Sequence, residues 1–184
     1  ERIKPSVKTT LKKTIEIYAI YTIAGIALYI LAGMPLFDSV CNTFTIISTG
    51  GMSIKNANIG FYQSNVIYFI TIILMILGAT SFLVHYKVIR TRGRSLIEDL
   101  QFKVIICVIA FVTLMLYFVS NIVPMELLFT VVSAITTTGA SVVPIQVMAN
   151  WQPFVIICLM CLMLAGGSSG STVGAIKLVR MITF

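Results

Sequence analysis

Charge is scarce in this chain. Only 10% of its 184 residues are charged, and just 6 of them are acidic. An ordinary water-soluble domain carries about 25% charged residues, so this chain has too little charge to cover a surface facing water. Histidine occurs once. With no carboxylate pair and no nucleophile set beside a base, the sequence offers nothing for bond-making catalysis, and it is not read as an enzyme. Cysteine occurs four times, at Cys41, Cys107, Cys158 and Cys161. Cys158 and Cys161 share a helix face, but no His, Asp or Glu lies within ten residues of them to complete a metal site. They read as small buried hydrophobes, and no cofactor is expected. A short apolar signal segment is lacking at the start, and the first residues are Glu-Arg-Ile-Lys rather than Met. The chain is therefore expected to be a piece of a longer polypeptide.

What is abundant is apolar: 58% of the residues are hydrophobic. Four long apolar runs cover residues 17–33, 66–84, 104–119 and 154–167. Two shorter ones, residues 36–47 and 125–135, fall below the roughly 20 residues that a spanning helix needs and read as re-entrant helices. The expectation is four crossings and two half-crossings. Basic residues supply the orientation. Arg2, Lys4, Lys8, Lys12 and Lys13 precede the first run; Lys87, Arg90, Arg92, Arg94 and Lys103 fill the central connection; Lys177 and Arg180 lie near the end. The connections that carry the short runs hold only Lys55. By the positive-inside rule both ends and the central loop are cytoplasmic, in a multi-pass protein of the plasma membrane whose short runs enter from outside. The net charge of +7 thus reflects topology and contact with lipid headgroups, not nucleic acid.

The chain also repeats itself. A shift of 88 residues places Asp38 on Glu126, Ile47 on Ile135, Thr49 on Thr137, Gly51 on Gly139 and Ser53 on Ser141. The same shift sets Gly78 on Gly166 and Ser81 on Ser169. The fold class expected is an all-α membrane protein made of two parallel repeats, residues 1–90 and 91–184, each an outer helix, re-entrant pore helix, filter loop and inner helix. Inside lipid, backbone leaves helical geometry only where protein buries it or a watery cavity accepts it. Residues 48–53 and 136–141, rich in hydroxyls and glycine, are such places. A half-helix ending there aims its carbonyls, with about half a negative charge, at the membrane centre, which favours a dehydrating cation. Asp38 and Glu126 fall at the opposite, positive ends of these half-helices and are expected to act as caps.

At these residues a resemblance becomes specific. Ala32-Gly33-Met34-Pro35-Leu36-Phe37-Asp38, running into Phe44-Thr45-Ile46-Ile47-Ser48-Thr49-Gly50-Gly51-Met52-Ser53, resembles the second pore unit of the Trk/Ktr/HKT superfamily of potassium transporters, the Trk branch in particular. Val132-Ser133-Ala134-Ile135-Thr136-Thr137-Thr138-Gly139 resembles the third unit. The run Ala165-Gly166-Gly167-Ser168-Ser169-Gly170-Ser171-Thr172-Val173-Gly174-Ala175-Ile176-Lys177 resembles the intramembrane loop that interrupts that unit's inner helix. Phe82-Leu83-Val84-His85-Tyr86 and Trp151-Gln152-Pro153 also fall where the family has similar signatures. Met52 and Ala140 stand where the family usually has an aromatic residue.

The resemblance implies K+ uptake through a pore of four units around a pseudo-fourfold axis, of which this sequence holds two. Carbonyl oxygens would replace water around K+, with Thr49, Gly50, Gly51, Thr137, Thr138 and Gly139 as filter residues. It further implies a gating role for Gly166, Gly167, Ser168, Ser169, Gly170, Ser171, Thr172, Gly174 and Lys177, beneath the filter and separate from it. A homodimer of the full-length protein and a cytosolic nucleotide-binding regulatory ring are implied as partners. Two other readings remain: a self-contained two-repeat channel that dimerises, and a non-conducting membrane scaffold whose re-entrant helices only pack.

Two residue patterns need separate mention. The Gly/Ser run is not a phosphate loop, because Ala175 and Ile176 separate Gly174 from Lys177 and no strand precedes it. His85, next to Tyr86 and Lys87, reads as an interfacial hydrogen-bonding residue.

Overall fold

The computed structural model describes residues 7–82, 84–85, 99–120, 122–164 and 166–176. Every regular element among them is helical: α1 (Val7–Leu31), α2 (Leu36–Ile47), a 3-10 helix (Asn58–Tyr62), α3 (Asn65–Ala79), α4 (Leu100–Val119), α5 (Pro124–Ile135), the single turn α6 (Ile145–Met148) and α7 (Pro153–Leu164). The basic residues Arg2, Lys4, Lys87, Arg90, Arg92, Arg94, Lys177 and Arg180 lie outside the described residues.

Local chemistry sets the boundaries. α1 stops at Gly33, whose φ of +89° only glycine adopts at low cost. The Met34 amide donates to the Tyr29 carbonyl and the Gly33 amide to that of Ile30, closing the helix end before Pro35. Asp99 starts α4 by accepting a hydrogen bond from the Phe102 amide at 3.0 Å. Pro124 opens α5 at its first position, where the missing amide costs nothing.

Helix lengths divide the runs into two classes. Leu11–Leu31 and Leu100–Val119 are long and apolar enough to cross a membrane. α3 and α7, with 15 and 12 residues, reach only about 23 and 18 Å at 1.5 Å per residue. The second and fourth apolar runs are therefore not continuous spanning helices. Thr80 turns extended (φ −87°, ψ 146°) directly after α3. Residues 166–174, four of them glycine and four Ser or Thr, leave helical geometry directly after α7.

α3 and α5 stand at the centre. α1 packs on α2 and α4 on α5, while α3 touches both α2 and α5, and α7 touches α5. Tyr29, Ile46, Met75, Leu127 and Phe129 are fully buried among them. The Tyr29 hydroxyl is satisfied there by Thr71 Oγ1 at 2.8 Å. Outward, α1 and α4 show large apolar side chains such as Ile23, Leu31, Phe111 and Phe118, the surface of an all-α membrane protein. Cys107 on α4 and Cys161 on α7 are exposed and Cys41 and Cys158 half-buried, so the cysteines are not the buried residues expected. Tiny helix-facing residues explain the close packing. A Cβ on Gly25 would come within 2.7 Å of Thr43 Cγ2.

Candidate functional site: two half-helix ends and the loop beneath them

The 88-residue relation is visible atom by atom where α2 and α5 end. In the first turn the amides of Ser48, Thr49 and Gly50 donate to the carbonyls of Phe44, Ile46 and Thr45. In the second, the amides of Thr136, Thr137 and Thr138 donate to those of Val132, Ala134 and Ser133, the same ladder 88 positions later. Such a closure places one residue in the left-handed region, normally glycine. Here it is Thr49 (φ +55°) and Thr137 (φ +50°). A β-branched side chain there costs of order 1–3 kcal/mol, and such strain persists only where the surroundings enforce it.

Two residues on, Gly51 (φ +64°) and Gly139 (φ +77°) are left-handed as well. Gly50 is not, and a Cβ on it would meet only ordinary neighbours at 3.5 and 3.6 Å. Its counterpart Thr138 shows that the middle position tolerates a side chain. Thr138 is buried, with its hydroxyl 2.8 Å from that of Thr136.

The two turns touch. A Cβ on Gly51 would collide with the Thr138 carbonyl oxygen and lie 2.8 Å from the Ala140 amide nitrogen, whereas one on Gly139 would meet no atom within 4 Å. Residues 48–51 and 136–139 offer only backbone groups, hydroxyls and glycine, at the negative ends of two half-helices. Carbonyls and hydroxyls at such ends suit a partly dehydrated cation better than an anion.

The Gly/Ser run lies against these turns. Gly166 sits under α5 so closely that a Cβ would collide with the Ile135 carbonyl, and Gly78 repeats the relation with the Ile47 carbonyl at 2.7 Å. The single Thr172 hydroxyl proton is shared between the carbonyls of Ile47 (3.2 Å) and Gly78 (3.0 Å). The single Thr49 hydroxyl proton is shared between the Ser48 carbonyl at 2.7 Å and the Thr172 carbonyl at 3.1 Å, and the Gly174 amide donates to Thr137 Oγ1 at 3.2 Å. Both strained threonines are therefore tied to the same loop, which is not the separate element expected from sequence.

Gly167 and Gly170 turn the loop with φ of +71° and +78°. The Ser168 amide donates to the Ala79 carbonyl, and the Ser169 amide to Gln101 Oε1 at 2.8 Å. The Ser171 hydroxyl donates to the Ser168 carbonyl. The Ile176 amide returns to the Leu164 carbonyl at 3.1 Å, so the run leaves α7 and comes back to its end. Lys177 lies outside the described residues.

Asp38 is buried in the first turn of α2, yet its side chain makes no capping bond. It accepts from the Tyr62 hydroxyl at 2.5 Å and has Lys55 Nζ at 3.6 Å, which pins the segment after the first turn to α2. Burial, reinforced by this carboxylate, pushes the Tyr62 phenol above its ordinary range and keeps it a donor. Lys55 also lies over the Phe61 ring, 5.0 Å from its centre. At the equivalent register positions of the second repeat, Val143 and Asn150 stand in place of Lys55 and Tyr62.

His85 makes hydrogen bonds as expected, but inside the protein. It is fully buried, with Nδ1 2.8 Å from the Tyr21 hydroxyl and Nε2 2.9 Å from the Leu77 carbonyl. The carbonyl requires an N–H at Nε2, which leaves Nδ1 to accept from Tyr21 and ties α1 to the end of α3. Sequence reasoning passed over Tyr62, and over Asn58, whose Nδ2 donates to the Gly51 carbonyl at 3.0 Å. No motif marks either residue.

Beside Gly139 an open groove of about 510 Å³ is lined by Thr130, Ser133, Ala134, Trp151, Ile156 and Leu159, among others. Ile156 is the register equivalent of Tyr68, which in the first repeat is buried with its ring 6.0 Å from that of Phe129 on α5.

Comparison with known proteins agrees with this architecture. The family model described as TrkH, cation transport protein, matches residues 1–124 and 123–184. This chain belongs to the TrkH family. It is 37% identical over 182 residues to an uncharacterized cation transporter of Methanocaldococcus jannaschii, covering 99% of this chain and 37% of that protein. The Trk system potassium uptake protein TrkH of Salmonella typhimurium is 30% identical over 192 residues, covering 98% of this chain and 39% of its own length. The chain thus spans under two fifths of the length of these curated relatives. The crystal structure of the potassium transporter TrkH from Vibrio parahaemolyticus superposes with a TM-score of 0.87 at 29% identity, over 98% of this chain and 40% of that one. The all-helical fold with its two half-helices is therefore a TrkH-family fold.

Proposed function

We propose that this chain supplies two pore repeats, residues 1–90 and 91–184, of a K+ uptake protein, with Thr49, Gly50, Gly51, Thr137, Thr138 and Gly139 forming part of its selectivity filter. One observation carries the reading. Two half-helices end in turns of the same hydrogen-bond ladder, with left-handed Thr and Gly at matching positions, and those turns touch each other. Strained β-branched residues kept at two equivalent places point to a shared task, and carbonyl-ended half-helices suit a cation. Relatives named as Trk potassium uptake proteins make K+ the ion of choice.

The two repeats relate head to tail, because Gly51 of the first is covered by the second while Gly139 and its groove are open. That arrangement fits further repeats of the same kind closing a ring, supplied by the remainder of a full-length protein. Gly166, Gly167, Ser168, Ser169, Gly170, Ser171, Thr172, Gly174 and Lys177 form the gating element, of which Thr172 and Gly174 are held against the turns. Both ends on the cytoplasmic face, a homodimer and a cytosolic nucleotide-binding regulator belong to the same reading. The test is ion flux through the full-length protein in vesicles. Wild type should favour K+ over Na+, and Gly139→Ala should narrow that preference. Flux of neither ion in the wild type would favour a non-conducting scaffold.

A further inference from the structure

The carbonyl of Gly51 is not free to face an ion on its own terms. It accepts a hydrogen bond from Asn58 Nδ2 at 3.0 Å. The orientation of that amide is decided by its other end, because Asn58 Oδ1 accepts from the Ile59 amide at 2.8 Å, and only the oxygen can do so. Asn58 itself is left-handed (φ +51°), a conformation that Asn tolerates better than most residues.

The turn carrying Asn58 is firmly placed. Ile59 is almost fully buried, and the Gly60 amide donates to the Ser141 carbonyl at 3.3 Å. Gly60 lies so close to Val142 that a Cβ would collide with the Val142 carbonyl. Tyr62, at the end of the turn, is bonded to Asp38. One side chain thus links a filter carbonyl of the first repeat to a turn braced by both repeats. The second repeat solves the problem differently. Ser133 Oγ on its pore helix donates to the Ala140 carbonyl at 2.7 Å, and the register equivalent of Asn58, Gln146, sits exposed on α6.

We infer that Asn58 is a positioning residue for ion choice: its amide fixes the direction of the Gly51 carbonyl, making the filter asymmetric between repeats. A carbonyl already accepting a hydrogen bond offers a weaker and more rigid ligand than a free one, and ligand field and rigidity are what discriminate between cations of unequal size. The inference rests on the filter reading above.

The test uses the full-length protein in vesicles and compares K+ and Na+ flux. Asn58→Gly keeps the left-handed backbone and removes the amide. Asn58→Asp keeps the acceptor for Ile59 and removes the donor to Gly51. Each should change the K+/Na+ flux ratio by roughly fivefold, the scale of one hydrogen bond. Gln63→Gly, at an exposed left-handed residue (φ +44°) of the same turn, should leave the ratio unchanged. If Gly139→Ala changes the ratio and neither Asn58 variant does, the inference fails while the filter reading stands. If none of the three changes it, both fail. Loss of assembly in both Asn58 variants would also overturn the inference, because Asn58 would then serve folding and not ion choice.

Discussion

The two repeats share a backbone and differ in what surrounds it. α2 and α5 have the same length, begin and end 88 residues apart, and close with the same hydrogen bonds. Yet Gly51 is wedged against the second turn while Gly139 faces open space. The inner helices diverge more. α3 runs 15 residues before a short break, while α7 stops after 12 and yields to a run that reaches back beneath both turns. The half-helix and its strained turn are the same in both halves, while the inner helix of one gives way to a loop. Conformation is thus dictated within each repeat, whereas tolerance to change is dictated by the neighbour.

The sharpest way to break this comparison is to add one methyl group at equivalent places. Gly51→Ala adds a collision with the Thr138 carbonyl to the left-handed strain, and should abolish assembly or flux in the full-length protein. Gly139→Ala carries only the strain, about 1–3 kcal/mol, and should retain flux with reduced preference for K+. Gly50→Ala, in a position that the second repeat fills with Thr138, should behave like wild type in the same vesicle assay. Equal damage at all three would mean that the register does not describe the function.

A smaller effect is expected at the loop. Thr172→Val keeps the shape and removes the one hydroxyl proton shared between the Ile47 and Gly78 carbonyls, worth about 1 kcal/mol. Basal flux should rise several-fold. Because the loop also holds Thr49 and Thr137, the ion ratio should move with it. A rise in flux with an unchanged ratio would show that filter and loop act separately, as sequence alone suggested.

Smaller still is Tyr62→Phe, which removes the donor from buried Asp38. It should cost about 1–3 kcal/mol in thermal unfolding of the full-length protein. Glu126→Gln in the second repeat, where Tyr62 and Lys55 have no counterparts, should cost less.

The half-helices, the turns that end them and the loop were legible because each is written locally. Apolar runs too short to span, hydroxyls beside glycine, and a dense Gly/Ser stretch all constrain the backbone wherever they occur. The 88-residue register added what a single copy could not, pairing Gly51 and not Gly50 with Gly139, and those two share the left-handed backbone. What stayed hidden depends on distant partners. Asp38 looks like a helix cap until Tyr62, 24 residues away, is seen to claim it. His85 looks interfacial until Tyr21 covers it from a helix 64 residues earlier. Run length misled in α3 and α7 because hydropathy continues through Thr80 and through the Gly run while helical geometry does not. The grip of the loop on Thr49 spans 123 residues, beyond the reach of any local pattern.

The most direct test of the central claim, that the two turns act as equivalent parts of one cation path, is anomalous scattering from crystals of the full-length protein soaked in Rb+. The account predicts a peak between the turns, within coordination distance of backbone carbonyls from both residues 49–51 and residues 137–139. Rb+ bound elsewhere in the membrane region, with nothing between these turns, would contradict it.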